Sequence, residues 1–252
     1  MTSYNPTPAI ISESFDILRF IGDYANEHES PHSPNPMVLI GGWAVHVYNP
    51  WFGSLDIDLI ASNNTRESLK HYLKKDLGFE TYRLPYTTAS TVCKKSSEGQ
   101  LIIIDFATYE KDQLFEGSEE NLSFKILHQN NIIRAISSDI SIRVPTRSVL
   151  LIFKLKAAWD RNFRIEKGTS HDAEWEKGKL IKDYGDILAL LDPSKGGREI
   201  MIEIVGNYLF RYSFLKECFY RLVQSDEPFE FYRGMSPEQG KRIVADLLEM
   251  VE

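Results

Sequence analysis

One short stretch in the first quarter of the chain constrains its fold most. Residues 37–40 form an apolar run, Gly41-Gly42 follows, residues 43–48 contain no helix breaker, and the next apolar run carries Asp56 and Asp58. This order predicts a strand, a turn, a short helix and a second strand. Because side chains alternate along a strand, the two aspartates are expected on one face, where their charges repel each other.

A third acid, Asp105, stands alone in another apolar run over residues 101–109. If this strand lies beside the first acidic strand, the carboxylates of Asp56, Asp58 and Asp105 converge. Hard divalent cations with oxygen ligands, above all Mg2+, are the natural partners of such a cluster. The Gly41-Gly42 turn lets a phosphate approach the backbone, and a helix N-terminus offers N–H groups to it. Metal and phosphate together predict a nucleoside triphosphate.

These features make the sequence similar to the nucleotidyltransferase superfamily that shares its palm with DNA polymerase β, and within it to the branch of AbiEii-type toxins. The family's first motif is a Gly-Gly or Gly-Ser turn, a spacer and Asp-x-Asp/Glu, here Gly41-Gly42 and Asp56-Ile-Asp58. The resemblance implies that the glycines bind the nucleotide and that the paired acids bind two Mg2+ ions, for which Mn2+ can substitute. It also implies that the third acid, Asp105, is a metal ligand and the general base.

A motif in the second half of the chain extends the resemblance. Lys156-Ala-Ala-Trp-Asp160-Arg161 resembles the family's Lys-x-x-x-Asp/Glu-Arg. The resemblance implies that Lys156 contacts the triphosphate and that Arg161 belongs to the nucleotide site. By spacing alone, Lys156 can pair with Asp160 one helical turn away. Lys154, on a different face of the helix, is the competing candidate for the phosphate contact.

A second helical motif, Lys182-Asp183-Tyr-Gly-Asp186-Ile, resembles the Lys/Arg-Asp-x-x-Asp-Ile/Leu signature of the same family. The resemblance places Asp183 in the nucleotide site, where it would hold and orient Lys156 or Arg161. Taken alone, each helical motif also fits a solvated charged face, with Asp183 and Asp186 on one side of the helix.

The sequence departs from the family at two places. Phe52 occupies the position four residues before the first aspartate, where relatives commonly have Arg, while Ser54 stands where Ser or Thr is usual and is expected to contact the nucleotide. Residues 162–178 form a longer segment than the family has between its helical motifs. Because acids offset most of its cations, we expect a solvated insertion; an acceptor-binding loop with Trp175 is the alternative.

The spacing of apolar residues, and the Gly and Pro residues that interrupt it, predict an α+β first half and a mostly helical second half. Residues 1–145 are expected to form a polymerase β-like nucleotidyltransferase domain, a mixed sheet with flanking helices, and residues 146–252 a helical domain that completes the cleft. The predicted helices span residues 14–26, 65–77, 147–164, 178–191, 198–223 and 237–251, and the longer strands residues 55–61, 87–93, 101–109 and 132–144. The aromatic residues between positions 208 and 220 are expected in the core.

Composition excludes several classes of protein. A net charge of −7 argues against a protein that coats nucleic acid through a broad cationic face. The two cysteines, Cys93 and Cys218, stand far apart, so neither a disulfide framework nor a zinc ribbon is expected. The first residues do not resemble a signal peptide and no apolar run approaches the length of a membrane span, which predicts a cytoplasmic protein without membrane contact.

The leading functional hypothesis is Mg2+-dependent transfer of a nucleoside monophosphate from an NTP, such as ATP, to an acceptor hydroxyl. The acceptor would be an RNA or tRNA 3′ end, a protein or a small molecule. The resemblance to toxins also suggests a cognate antitoxin. The alternative is a nucleotidyltransferase-like protein that binds nucleotide or a protein partner without catalysis.

Overall fold

The computed structural model describes residues 6–30, 32–82 and 91–251. The helices are α1 (Pro8–His28), α2 (Gly41–Tyr48), α3 (Asn63–Leu77), α4 (Arg147–Lys167), α5 (Ala173–Leu191), α6 (Ile202–Arg211), α7 (Lys216–Gln224), α8 (Glu227–Phe231) and α9 (Pro237–Met250). The strands are β1 (Val38–Ile40), β2 (Asp56–Ile60), β3 (Glu80–Thr81), β4 (Val92–Lys95), β5 (Leu101–Ala107), β6 (Gln113–Leu114), β7 (Asn121–Leu122), β8 (Asn131–Ala135) and β9 (Ser141–Pro145). Part of the strand predicted over residues 87–93 falls on residues 87–90, outside the described ranges.

The main sheet brings the two acidic strands side by side. Its order is β1-β2-β5-β4-β3, with β2 and β5 parallel and the other neighbours antiparallel. Ile57 and Leu59 of β2 point into the core and are almost completely buried, so Asp56 and Asp58 lie on the opposite face. The predicted mixed α+β architecture is therefore confirmed.

Helix ends are set by residues whose chemistry favours them. Gly78 ends α3 in the left-handed conformation, as the sequence predicts, and Gly168 ends α4 in the same way. The side chain of Asp172 caps α5 by accepting from the N–H of Trp175. As a result, only residues 168–172 separate α4 from α5. Most of the segment 162–178 is helix, and most of its side chains are exposed, as expected of a solvated segment. That it is an insertion relative to the family stays a prediction.

Three other predicted elements differ in the structure. Gly41 and Gly42 do not form a separate turn but begin α2. The strand expected over residues 132–144 is a hairpin of β8 and β9, closed by backbone hydrogen bonds from residues 136 and 137 to the carbonyl of Ile140. The helix expected over residues 198–223 breaks between α6 and α7 at Tyr212, whose backbone leaves the helical region and whose hydroxyl donates to the carbonyl of Asn121.

Only some of the aromatic residues expected in the core are buried. Tyr212 and Phe219 lie in the core, as expected. Phe210 is 88% exposed and Tyr220 is 41% exposed, so the prediction that the whole group is buried is wrong. Phe210 lies in α6, before the break, and points away from the buried Leu209 and Tyr212, because neighbouring positions of a helix face different directions. Tyr220 lies after the break, in α7.

The change from strands to helices falls where the sequence predicts it. Strand β9 ends at Pro145 and α4 begins at Arg147. One buried cluster contains side chains of both halves, including Leu39, Ile57, Leu155 and Leu188. The division into two domains therefore stays a prediction. Within the described ranges, no helix combines the length and apolarity needed to span a bilayer.

Candidate functional site

A cleft of about 350 Å³ lies between the acidic face of the main sheet and helices α4 and α5. The sheet and α2 contribute Gly41, Gly42, Ser54, Asp56, Asp58 and Asp105. The two helices contribute Lys154, Arg161, Trp175, Lys179, Lys182 and Asp183. The cleft thus sets carboxylates on one wall against cations on the other.

The carboxylates converge because of the strand register. Asp58 on β2 pairs directly with Asp105 on the parallel neighbour β5, and Asp56 lies two residues earlier on the same face. Burial, together with repulsion from Asp56 and Asp105, raises the pKa of Asp58 to about 7. Burial also raises the pKa of Asp105, although a hydrogen bond from the hydroxyl of Thr91 opposes the shift. The sheet therefore concentrates negative charge, which a nearby cation would stabilise.

Gly41 and Gly42 let the first turn of α2 approach this cluster. Gly41 has φ +69°, and a Cβ at this position would collide with Oδ2 of Asp58. A Cβ at Gly42 would lie 2.7 Å from Nζ of Lys182 and 3.0 Å from Oγ of Ser54. Gly41 therefore needs glycine both for its backbone conformation and for the space beside Asp58, whereas a Cβ at Gly42 would require Lys182 and Ser54 to shift.

A buried ion-pair network forms the helical wall of the cleft. Nζ of Lys154 lies 2.9 Å from Asp183 and 2.6 Å from Asp186, and Lys182 lies 2.8 Å from Asp186. Nε of Arg161 donates to Asp183 at 2.8 Å. Burial would raise the pKa of Asp183, but the charges of Lys154 and Arg161 outweigh it and hold this pKa well below its usual range. Asp183 thus orients Arg161 and Lys154.

Lys156 does not line the cleft. Its Nζ lies 2.5 Å from Asp160 and donates to the carbonyl of Leu114 at 2.7 Å. The predicted Lys156–Asp160 pair is confirmed, but the predicted phosphate contact disagrees with this geometry. Residues two positions apart on a helix point in different directions, so Lys154, the competing candidate, faces the cleft instead.

Two further residues, Lys179 and Trp175, line the cleft wall, and the sequence associates them only with an alternative acceptor-binding loop. Nζ of Lys179 lies 2.5 Å from Oδ2 of Asp56, and Trp175 stands one turn earlier on α5. Both lie in or beside the segment that was interpreted as an insertion. The available signal was the helical period: positions 175, 179, 182, 183 and 186 fall on one face once α5 is extended to its true start.

Phe52 belongs to an aromatic cluster with Trp51 and Phe231. Its ring lies 5.3 Å from that of Trp51 and 4.9 Å from that of Phe231, measured between centroids. Nζ of Lys182 lies 5.9 Å from the Phe52 centroid. Ser54, two residues later, is 4% exposed and lines the cleft.

The donor set suits a hard divalent cation in its chemistry, since all three sheet acids present carboxylate oxygens. In the part of the chain that the structure describes, no three His, Cys, Asp or Glu side chains are grouped so that they could hold a metal ion as they stand. The ammonium of Lys179 already contacts Asp56. Binding of a metal ion would therefore require a rearrangement of side chains.

The chain was compared with protein families, curated proteins and solved structures. No protein-family model matches the chain, and no curated protein matches it. The chain is similar to the solution structure of the antibiotic-resistance factor ANT(2'')-Ia, with 13% identity, 84% of this chain and 99% of that chain covered, and a TM-score of 0.45.

Proposed function

We propose that the chain is a nucleotidyltransferase that moves a nucleoside monophosphate from an NTP to an acceptor hydroxyl and releases pyrophosphate. The observation that carries this proposal is the parallel register of Asp58 and Asp105, with Asp56 on the same face, opposite a wall of cations. A cleft with this charge arrangement suits a triphosphate together with divalent cations.

The first turn of α2 would bind phosphate. Its N-terminal backbone N–H groups lie at Gly41 and Gly42, and Ile40, the N-cap residue, makes no side-chain capping bond. Unpaired N–H groups at a helix N-terminus attract anions through hydrogen bonds and the helix dipole. Lys182, beside Gly42, and Lys154 would add positive charge on the opposite side of the phosphates.

Asp56, Asp58 and Asp105 would hold Mg2+, or Mn2+ in its place. Two bound divalent ions would orient the triphosphate and make the acceptor hydroxyl easier to deprotonate. Asp105 would accept the hydroxyl proton, a role that suits a carboxyl group whose pKa is raised by burial. Thr91, which donates to Asp105, would hold this carboxylate in position.

Nucleotide binding without catalysis is the second candidate. One observation favours it, namely the ion pair between Lys179 and Asp56, which occupies an oxygen that the catalytic reading assigns to metal. A nucleotidyltransferase and a non-catalytic nucleotide-binding protein differ in whether the bound NTP reacts with an acceptor.

The test is transfer of label from the α-phosphate of each NTP, with Mg2+, to a panel of acceptors: pooled RNA with tRNA, cellular protein and hydroxylated small molecules. Wild type should label one class of acceptor, and the Asp56→Ala/Asp58→Ala double variant should not. Equal labelling by both proteins, or no labelling by wild type, would exclude the catalytic proposal. If the labelled acceptor is RNA, labelling should fall steeply as salt rises, and copurification from the native cell would test for an antitoxin.

A further inference from the structure

Lys179 differs from the other cations of the cleft in the acid it contacts. Lys154, Arg161 and Lys182 pair with acids of α5, the helix that forms the same wall. Nζ of Lys179 instead crosses the cleft and lies 2.5 Å from Oδ2 of Asp56 on β2. Among the ion pairs found in residues 6–30, 32–82 and 91–251, this pair joins the helical wall to the carboxylates of the sheet.

The position of Lys179 conflicts with that of a divalent ion at the same oxygen. Its side chain is 9% exposed, so solvent screens its charge only weakly. A divalent ion bound to Asp56 would place two further positive charges next to the ammonium, and such like charges repel strongly at short range. Metal ion and ammonium therefore compete for Asp56.

While it contacts Asp56, the ammonium also lies beside an aromatic ring that it can keep as a partner when Asp56 is taken by a metal ion. The Trp175 ring lies on the same wall, with its centroid 5.1 Å from Nζ of Lys179. A lysine has a flexible four-carbon stem and can change partners without moving its helix, unlike the rigid fork of an arginine. From this side of the cleft the ammonium can also reach a triphosphate lying between the sheet and α5.

We propose that Lys179 exchanges partners during nucleotide loading: it neutralises Asp56 while divalent ions are absent, and it binds the triphosphate once a metal ion takes its place at Asp56. This inference rests on the proposed function. It also explains why the carboxylates, as they stand, do not form a ready metal site. The cleft would then stay electrically balanced both with and without its ligands.

The test measures the binding of Mn2+ alone to the protein. The electron paramagnetic resonance signal of free Mn2+ reports how much of the ion remains unbound. Because Lys179→Met removes the competing charge, it should bind Mn2+ about tenfold more tightly than wild type, a typical size for coupling between two sites. The same variant should bind a non-hydrolysable NTP with Mn2+ about tenfold more weakly, since it lacks the ammonium that contacts the triphosphate. A purely structural ion pair would leave the affinity for the NTP unchanged, even if its removal tightened the binding of Mn2+.

Two further variants keep the test decisive. Lys177→Met, an exposed lysine on α5 that pairs with Glu174, is the matched control and should leave both affinities unchanged. Lys179→Gln, which removes the charge but keeps a polar group at Asp56, replaces the Met variant if circular dichroism shows that the latter is unfolded.

The outcomes separate this inference from the proposed function. Mn2+ that binds equally to wild type and to the Lys179 variants would overturn the exchange and leave the proposed function standing. Absence of Mn2+ binding to wild type and to the Lys179 variants would overturn both the exchange and the proposed function. Tighter binding by the Lys179 variants, lost again when Asp56→Asn is added, would support both.

Discussion

Asp58 and Asp105 lie directly opposite each other on the parallel strands β2 and β5. Their carboxylates share one face of the sheet with Asp56, and mutual repulsion adds to burial in raising the pKa of Asp58 to about 7. This relationship makes the acidic cluster costly for folding when no cation is bound. It is the physical basis of the proposed function and of the predictions below.

The first prediction concerns the stability of the metal-free protein. The folded pKa of Asp58 is about 7, above the usual 3.8, so the folded state holds this proton more tightly than the unfolded state does. Its contribution to stability is therefore greatest below the unfolded pKa and is lost as pH rises through about 7. Asp58→Asn should raise the free energy of unfolding by about 1–3 kcal/mol at about pH 8, and by much less at about pH 5.

Urea unfolding in the presence of EDTA at the two pH values checks this. Asp76→Asn, on the exposed side of α3, is the control and should have little effect at either pH. An Asp58→Asn protein with the same stability gain at both pH values would contradict the prediction.

The second prediction concerns the close approach of α2 to Asp58. Gly41→Ala should lower the free energy of unfolding by more than Gly78→Ala does. Both glycines have nearly the same positive φ, +69° and +71°, and that backbone strain alone costs about 1–2 kcal/mol. A Cβ at Gly78 meets nothing within 4 Å, whereas one at Gly41 collides with Asp58. Equal losses in urea unfolding would show that the contact with Asp58 is unimportant.

The third prediction separates two lysines on α4. Lys154→Met should abolish detectable binding of a non-hydrolysable NTP and should destabilise the fold by about 3–5 kcal/mol, because it leaves Asp183 and Asp186 buried with less compensation. Lys156→Met should leave NTP affinity unchanged and cost about 1–3 kcal/mol, because it removes the partly buried partner of Asp160 and of the carbonyl of Leu114. Calorimetric titration at a temperature where both variants are folded measures the affinities, and a comparable loss for Lys156→Met would contradict the geometry.

The fourth prediction concerns the proton acceptor. Asp105→Asn should lower kcat for nucleotidyl transfer by about 100-fold or more while changing NTP affinity by less than about threefold, as expected for loss of a general base. Asp112→Asn, an exposed acid in the loop after β5, is the matched control. Single-turnover kinetics with wild type and both variants would give the values. A full loss of NTP binding in Asp105→Asn would assign this residue to binding alone.

Local features of the fold could be predicted from the sequence. The spacing of apolar residues indicates α1, α3, α4 and α9, Gly78 ends α3 as expected, and the strand alternation puts Asp56 and Asp58 on one face. Each of these features is determined by neighbouring residues, through the helical or strand period and the conformational freedom of glycine.

Features that depend on distant contacts could not be predicted in the same way. No local pattern shows that β5 pairs with β2 in the register that aligns Asp105 with Asp58, since the two strands lie more than 40 residues apart in sequence. The choice between Lys154 and Lys156 depends on how α4 rotates against the sheet, and the entry of Lys179 into the cleft depends in the same way on which face of α5 lies opposite β2.

The most direct test of the central claim uses two forms of the same NTP, labelled in the α-phosphate or in the γ-phosphate. With Mg2+ and the acceptor found in the panel, wild type should transfer the α-label to the acceptor and release the γ-label in pyrophosphate, in equal amounts. Asp56→Ala/Asp58→Ala should do neither. Appearance of the γ-label on the acceptor, or transfer that persists in the double variant, would contradict nucleotidyl transfer by this carboxylate cluster.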